Sequence, residues 1–218
     1  MINSITILPK KVEILSSSWH DIADDLIQTD FQLGSSVIHK FYFNKGSKDK
    51  LFVLWDHDKI DKELKEFFKI LIRVLKLSGT TNILVLDECF SLSDMENDVV
   101  GISDNINFTA ENPLIGKNSD EIGTRFPDMS HAYSDNYSER FGILNKVVLA
   151  GVDESGISAK KLDLIKSSEA EVYNFSVMWM NILAVHSSID FSAVCKVKSK
   201  IQHIRRDDPC GRPDTWMI

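Results

Sequence analysis

The 218-residue sequence has few cysteines, no long apolar run and no excess of positive charge. Its three cysteines, Cys89, Cys195 and Cys210, show neither metal-ligand nor disulfide spacing, which favours a reducing compartment, cytoplasmic or nuclear. No apolar run approaches membrane-spanning length, and the first residues do not resemble a secretory signal, so we expect neither a membrane protein nor secretion. The net charge of −7 argues against direct nucleic-acid binding, because such proteins are usually basic.

What the sequence does contain is the composition of one globular domain. Hydrophobic residues make up 43% and charged residues 26%, which are ordinary values. We assign residues 1–200 to a single α/β domain. Residues 201–218 are rich in charge, proline and glycine and lack periodicity, so we expect them to form an extended tail.

Apolar spacing in the first half predicts two helices, at residues 18–29 and 59–78. Gly79 lies in the C′ position, where it would end the second helix. Shorter alternating or unbroken apolar runs predict strands, two of which form a hairpin at 37–43 and 51–55. The remaining predicted strands of this half are at 5–8, 83–86 and 99–102.

The second half alternates strands and helices, which is typical of a mixed α/β sheet covered by helices. It begins with an irregular loop at 104–127, longer than an ordinary connection and therefore functional or interfacial. The predicted helices are at 129–141, 158–166 and 177–186. The predicted strands are at 146–151, 170–175 and 191–197.

The most informative segment is residues 103–133. It contains DNIN at 104–107, NPLIG at 112–116 and RFPDMSHAY at 125–133. The segment resembles the central part of the trimeric purine nucleoside phosphorylases. There the blocks read Asp-His-Ile-Asn, Asn-Pro-Leu-x-Gly and Arg-Phe-Pro-x-Met-Ser-x-Ala-Tyr. The resemblance implies the fold of that family, a nucleoside phosphorylase-like central mixed sheet flanked by helices.

The resemblance also implies where phosphate and purine would be held, and there the residue types differ. In the family a Gly-Ser-Gly loop follows the first strand, whereas this chain has Pro9, Lys10 and Lys11, and proline has no N–H to donate. The family's Gly-Arg-x-His segment corresponds to residues 55–58, and its Thr-Asn-Ala-Ala-Gly-Gly loop to residues 86–90. Both stretches bring in carboxylates, which accept hydrogen bonds and repel phosphate.

The same resemblance implies a vestigial substrate pocket formed by Phe126, Phe175 and Ser176. In the family the Phe of the Arg-Phe-Pro block reaches the sugar pocket of a neighbouring subunit. A Met-Ser pair, here Phe175 and Ser176, meets ribose and phosphate. The family's purine-binding Asn has no counterpart in residues 195–199. Residues 104–133 keep the family's three sequence blocks and form the retained segment. By resemblance, this segment implies a subunit interface formed by Asn112, Pro113, Leu114, Gly116, Arg125, Phe126, Pro127, Met129 and Tyr133.

The family's phosphate-binding and purine-binding residues are replaced, whereas residues 104–133 are retained. This combination favours a catalytically inactive phosphorylase-like protein, a pseudoenzyme. We expect it to act as an oligomerising scaffold or binding subunit, as a homo-oligomer or in a hetero-oligomer with another protein. A nucleoside sensor that binds purine nucleosides without turnover is an alternative.

An acid cluster leaves an enzymatic hypothesis open as well. Asp56, His57, Asp58 and Glu88 would be the catalytic residues of a divergent nucleoside phosphorylase or hydrolase acting on purine nucleosides. His57 would be a general base oriented by a carboxylate. The plainer interpretation makes Asp58 a helix cap and the others solvated loop residues, because no local ligand motif joins them. We therefore expect no metal site and no cofactor.

Overall fold

A computed structural model describes nine strands and three helices within residues 11–16, 26–33, 37–44, 50–55, 62–135, 137, 141–143, 145–152 and 157–198. The predicted strand at 5–8, the predicted tail at 201–218 and the candidate residues Asp56, His57 and Asp58 lie outside the described residues. The helices are α1 (Lys62–Leu77), α2 (Ala159–Lys166) and α3 (Ser176–His186). The strands are β1 (Lys11–Ser16), β2 (Leu26–Leu33), β3 (Val37–Asn44), β4 (Lys50–Trp55), β5 (Asn82–Ser91), β6 (Val99–Asn107), β7 (Lys146–Gly151), β8 (Val172–Tyr173) and β9 (Asp190–Lys198).

The described strands form one mixed sheet in the order β2-β3-β4-β1-β5-β8-β7-β6-β9. In the open half, β2, β3 and β4 are antiparallel neighbours, whereas β4, β1 and β5 run parallel. The other half closes on itself, because β9 also pairs in parallel with β5 from Asn82–Asp190 to Phe90–Lys198. β5, β8, β7, β6 and β9 therefore form a closed ring, which leaves no free strand edge on that side. The predicted mixed sheet flanked by helices is confirmed.

Helix α1 is amphipathic. It packs its apolar face against α3, in the same core as side chains of the sheet. Its buried side chains recur three or four positions apart, as the sequence pattern predicts. Gly79, at φ +83°, ends the helix: its N–H donates to the Lys76 carbonyl at 3.0 Å, and the Thr80 N–H donates to the Leu75 carbonyl at 3.0 Å. This pair of hydrogen bonds is the Schellman motif, so the predicted stop is confirmed. The buried residues are Leu64, Phe67, Phe68, Leu71, Ile72 and Leu75.

Helix α3 lies inside the molecule and contacts α1, β5, β7 and β9. Ten of its eleven residues are buried. A helix that is apolar on nearly every side is expected in such a central place. Its few polar side chains, Ser176, Asn181 and His186, are buried with it. Asn181 and His186 mark where α3 meets residues 105–132, because a buried polar group needs a partner and theirs lie there.

The predicted helix at 18–29 is wrong over its described part. Residues from Leu26 onward belong to β2, which pairs antiparallel with β3 along eight residues, from Leu26–Asn44 to Leu33–Val37. The neighbouring Leu26 and Ile27 suit a helix face, but tertiary strand pairing overrides this weak local preference. The predicted hairpin is confirmed, since Phe41 pairs with Val53 in the β3–β4 ladder.

The predicted helix at 129–141 is wrong over residues 129–135, which are irregular, whereas Phe141 is helical. Their polar groups are committed to other partners. The Asp128 carboxylate accepts the Ser130 N–H at 2.9 Å and hydroxyl at 2.7 Å, and the Ser134 N–H donates to the Phe191 carbonyl of β9 at 2.8 Å. The long loop begins later than predicted, because residues 104–107 belong to β6.

Candidate functional site

The loop at residues 108–127 follows β6 and is shaped by side-chain hydrogen bonds. The Asn107 amide oxygen accepts the Thr109 N–H at 2.9 Å and its hydroxyl at 2.7 Å. The Asn112 amide oxygen accepts the Leu114 N–H at 2.8 Å. Asparagine favours such turns because its side chain can bond the backbone two residues on. The DNIN and NPLIG blocks therefore fix the conformation of this loop locally.

The C-terminal part of the loop is fastened to the end of α3. His186 Nε2 lies 3.1 Å from the Asn118 amide oxygen, and Asn118 Nδ2 donates to the Gly123 carbonyl at 3.0 Å. Gly123 passes so close that an added Cβ would overlap the His186 carbonyl oxygen. Burial lowers the pKa of His186, which favours the neutral imidazole. Its Nε2–H then donates to Asn118, because an amide oxygen can only accept.

A second attachment joins α3 to residues 129–135. Asn181 Nδ2 donates to the Ala132 carbonyl at 2.6 Å. Asn105 Nδ2 donates to Asn181 Oδ1 at 3.3 Å and to the Tyr133 hydroxyl at 3.2 Å. Burial raises the pKa of the Tyr133 hydroxyl well above its ordinary value, so that group stays neutral. The Tyr133 ring meets Phe191 of β9 edge-on at 5.7 Å between centroids, which holds the segment from a second side.

A cleft of about 600 Å³ opens between β6, the loop and α3. Its volume lies within the range of about 300–1,000 Å³ found for small-molecule sites. Seven of the nine residues predicted for the subunit interface line it; Pro113 and Tyr133 do not. The structure thus gathers most of the predicted interface around one cleft. The lining residues are Asp104, Asn105, Asn107, Asn112, Leu114, Ile115, Gly116, Arg125, Phe126, Pro127, Met129, Ala132 and Ile182.

Phe126 stands at the rim of this cleft with 86% of its surface exposed, and Ile115 is 76% exposed. The Arg125 guanidinium lies 5.8 Å from the Phe126 ring centroid and is also exposed. Among the described residues, no other large hydrophobic side chain is as exposed as these two. Two exposed apolar side chains on an internally anchored loop are the usual sign of a contact surface.

The other two predicted pocket residues lie in the interior and do not line the cleft with Phe126. Phe175 is fully buried and stacks on Trp179 at 5.0 Å between ring centroids, with Lys65 Nζ 4.9 Å from the Phe175 centroid. Ser176 is also fully buried, and its hydroxyl has no hydrogen-bond partner among the described residues. Within one chain, the three predicted pocket residues are therefore divided between the rim of the cleft and the core.

β5 continues through the stretch that corresponds to the family's small-residue loop. Asp87 is fully buried, and its carboxylate accepts Asn174 Nδ2 at 2.9 Å and the Glu88 N–H at 2.8 Å. Asn174 Nδ2 also donates to the Glu88 carbonyl at 2.7 Å, and Asn174 Oδ1 accepts the Val177 N–H at 2.8 Å. Farther along, Phe90 stacks on Tyr173 at 5.1 Å between centroids. The side chains of this stretch are therefore engaged in hydrogen bonds and ring stacking within the fold.

Of the four candidate catalytic residues Asp56, His57, Asp58 and Glu88, the structure describes Glu88. Its carboxylate pairs with Lys198 Nζ at 2.7 Å and is not among the cleft-lining residues. Within the described residues, no group of three or more His, Cys, Asp or Glu side chains is placed to hold a metal ion. Cys89 and Cys195 are free and buried on neighbouring strands, and hydrogen bonding with Cys89 raises the pKa of Cys195 well above its ordinary value. The Cys195 thiol is therefore held neutral.

Comparison with known proteins finds similarity to purine nucleoside phosphorylases, although no protein-family model matches the chain. Part of the chain is similar to purine nucleoside phosphorylase 1 of Geobacillus stearothermophilus, with 42% identity over 65 residues, 29% of this chain and 24% of that protein. Purine nucleoside phosphorylase 1 of Bacillus subtilis (strain 168) is 39% identical over 69 residues, which are 31% of this chain and 26% of that protein. The match thus spans about a quarter of each relative.

Solved structures extend the similarity to the fold. The crystal structure of a schistosoma purine nucleoside phosphorylase in complex with hypoxanthine is similar with a TM-score of 0.73, covering 95% of this chain and 82% of that one. The chain has the purine nucleoside phosphorylase fold. The structure of isoform 2 of the Schistosoma mansoni purine nucleoside phosphorylase, in complex with cytosine and ribose-1-phosphate, is similar with a TM-score of 0.71. The similarity covers 87% of this chain and 76% of that one. Identities of 20% and 19% mark this phosphorylase-like chain as divergent.

Two buried asparagines of the phosphorylase-like chain were missed by the sequence interpretation. Asn181 interrupts the apolar run at residues 177–185, and a lone amide in such a run signals a buried hydrogen bond. Asn174 lies two residues before α3, where asparagine commonly caps helices. Their partners Ala132 and Asp87 lie 49 and 87 positions away, so no local pattern identifies them.

None of the described helices is both long enough and apolar enough to span a bilayer.

Proposed function

We propose that this phosphorylase-like chain is a pseudoenzyme that acts by assembly, with residues 104–133 as its contact surface. The proposed partner is a second copy of the chain, and a subunit of another protein is the alternative. We place this role in the cytoplasm or nucleus, in line with the three scattered cysteines of the sequence, which lack disulfide spacing.

The observation that carries the proposal is the exposure of Phe126. Its ring is 86% exposed although the loop beneath it is attached to α3 through His186 and, farther along, through Asn181. Burying a phenylalanine on association gains about 2 kcal/mol, so a fixed, exposed ring favours a docked state. The adjacent Ile115 widens the same apolar rim.

The proposed absence of phosphorolysis rests on β5 and the start of α3. A phosphate site needs backbone N–H groups and cationic or hydroxyl donors in reach of the anion. Here the Val177 N–H is taken by Asn174, whose amide nitrogen donates to the buried carboxylate of Asp87. A carboxylate in that place opposes a second anion.

The volume of the cleft favours a second candidate function, the binding of a purine nucleoside without turnover. Amides of Asn105, Asn107 and Asn112 and the Arg125 guanidinium lie beside an apolar wall. Ligand sites combine apolar surface with a few directed polar groups in this way. The alternative is turnover by a divergent phosphorylase or hydrolase, and Asp104 is the carboxylate in the lining of the cleft.

Incubation with inosine, guanosine and adenosine, with and without phosphate, separates these functions. The proposal predicts no release of base in either condition from well-folded protein. Phosphate-dependent release would overturn it in favour of a phosphorylase, and phosphate-independent release in favour of a hydrolase. Thermal stabilisation by nucleosides without release would identify the sensor, because a ligand that binds only the folded state raises its stability.

A further inference from the structure

Asn181 is an unusual residue for its place. It is fully buried in the middle of α3, between Met180 and Ile182, in a helix whose surroundings are apolar. An uncompensated amide there would destabilise the fold, yet both of its polar atoms have partners. One partner, Asn105, lies on β6, and the other, Ala132, lies in the irregular chain that follows the loop.

We propose that Asn181 is a positioning residue that fixes the back of the cleft, and this inference rests on the proposed contact role of residues 104–133. Its two hydrogen-bond partners, Asn105 and Ala132, both line the cleft, and so does the next helix residue, Ile182. One side chain of α3 thus joins two walls of the same site.

The chemistry of a primary amide explains why asparagine serves here. Its nitrogen donates to the Ala132 carbonyl at 2.6 Å while its oxygen accepts Asn105 Nδ2 at 3.3 Å. Leucine has a similar size but meets neither need. Aspartate would set a carboxylate oxygen against the Ala132 carbonyl, where neither atom can donate.

The contacts made by β9 cannot replace this link. The Ser134 N–H bonds the Phe191 carbonyl at 2.8 Å, and the Ser134 and Ser192 hydroxyls lie 3.0 Å apart. These contacts tether the chain after the cleft, whereas Asn181 tethers it at Ala132, inside the cleft wall. Without Asn181, the wall from Met129 to Ala132 loses its hydrogen bond to α3 at Ala132.

The test is hydrogen exchange of a peptide covering residues 129–135, together with thermal unfolding of the same samples. Asn181→Leu is compared with Met180→Leu, a buried neighbour in α3 that carries no amide. We expect exchange at 129–135 to accelerate about tenfold in Asn181→Leu, beyond any change in the rest of the chain. Met180→Leu should leave it unchanged.

Asn105→Ala tests the same link from the other wall with less risk to folding, because Asn105 is only half-buried. It should accelerate exchange at 129–135 by a smaller factor. If neither variant changes exchange there more than elsewhere in the chain, the inference is overturned and Asn181 only contributes to stability.

The outcome does not depend on whether the chain assembles. A monomeric wild-type protein would refute the proposed function, while the exchange of residues 129–135 would still decide the role of Asn181. If the wild type assembles, a variant that releases the wall should assemble about tenfold more weakly than a variant with an equal loss of unfolding temperature. Assembly that simply follows the unfolding temperature across the variants would contradict positioning.

Discussion

The carboxylate of Asp87 accepts a 2.9 Å hydrogen bond from the side-chain amide of Asn174, and both residues are buried. The same amide group accepts the Val177 N–H at 2.8 Å, so the pair connects the inside of β5 to the first turn of α3. A negative charge near a helix N-terminus is stabilising. The chain therefore places a carboxylate of its own beside the first turn of α3.

Replacing Asn174 by alanine should lower the free energy of unfolding by roughly 2–4 kcal/mol. The variant loses the cap on Val177 and leaves the buried Asp87 carboxylate without one of its donors. Urea denaturation followed by circular dichroism measures the change.

Asn112→Ala is the matched control, because Asn112 also accepts a backbone N–H but is exposed. We expect it to cost only about 0.5 kcal/mol. Equal losses in the Asn174 and Asn112 variants would show that the Asp87 contact does not contribute to stability.

Elements with strong periodicity were predictable from the sequence. The strand predicted at 146–151 coincides with β7, and Gly79 ends α1 as predicted. The failures are at residues 26–29 and 129–135, where a short apolar spacing suited a helix. In both places tertiary hydrogen bonds decide the structure, to β3 in the first and to Phe191 in the second.

The site was predictable only in part. Of the nine residues predicted for the subunit interface, seven line the cleft. The division between Phe126 on the rim and Ser176 in the core was not foreseen, because burial depends on how α3 packs. The Asp87–Asn174 contact was also missed, since it joins positions 87 residues apart.

The attachment of the loop to α3 predicts a difference between two glycine variants. Gly79→Ala meets no atom within 4 Å and suffers only from its φ of +83°, which costs about 1 kcal/mol. In Gly123→Ala the new methyl group would overlap the His186 carbonyl oxygen, so the loop must move, at a cost of roughly 3 kcal/mol. Urea denaturation of both variants checks the order; a Gly123 variant as stable as the Gly79 variant would contradict it.

His186 gives the fold a dependence on pH. Because its folded pKa is lowered by burial from the ordinary value of 6.5, the unfolded chain takes up a proton first as the pH falls. The stabilisation is complete above about pH 6.5 and declines below it. His186→Gln keeps a donor for Asn118 but does not titrate, so its unfolding temperature should fall less on acidification.

The control for this experiment is His131→Gln, since His131 is exposed. It should retain the wild-type loss of unfolding temperature between about pH 7.5 and about pH 5.5. If His186→Gln loses as much as the wild type over this range, another group is responsible for the acid sensitivity.

The most direct test of the account is the mass in solution of the wild type and of Phe126→Ala, measured by light scattering at one protein concentration. The account predicts that the wild type has a multiple of the 24.7 kDa chain mass and that Phe126→Ala shifts towards the single chain. Leu164→Ala, which removes a 59% exposed apolar side chain from α2, should keep the wild-type mass. A wild-type mass of 24.7 kDa, or a Phe126 variant that assembles as the wild type does, would contradict assembly through the retained segment.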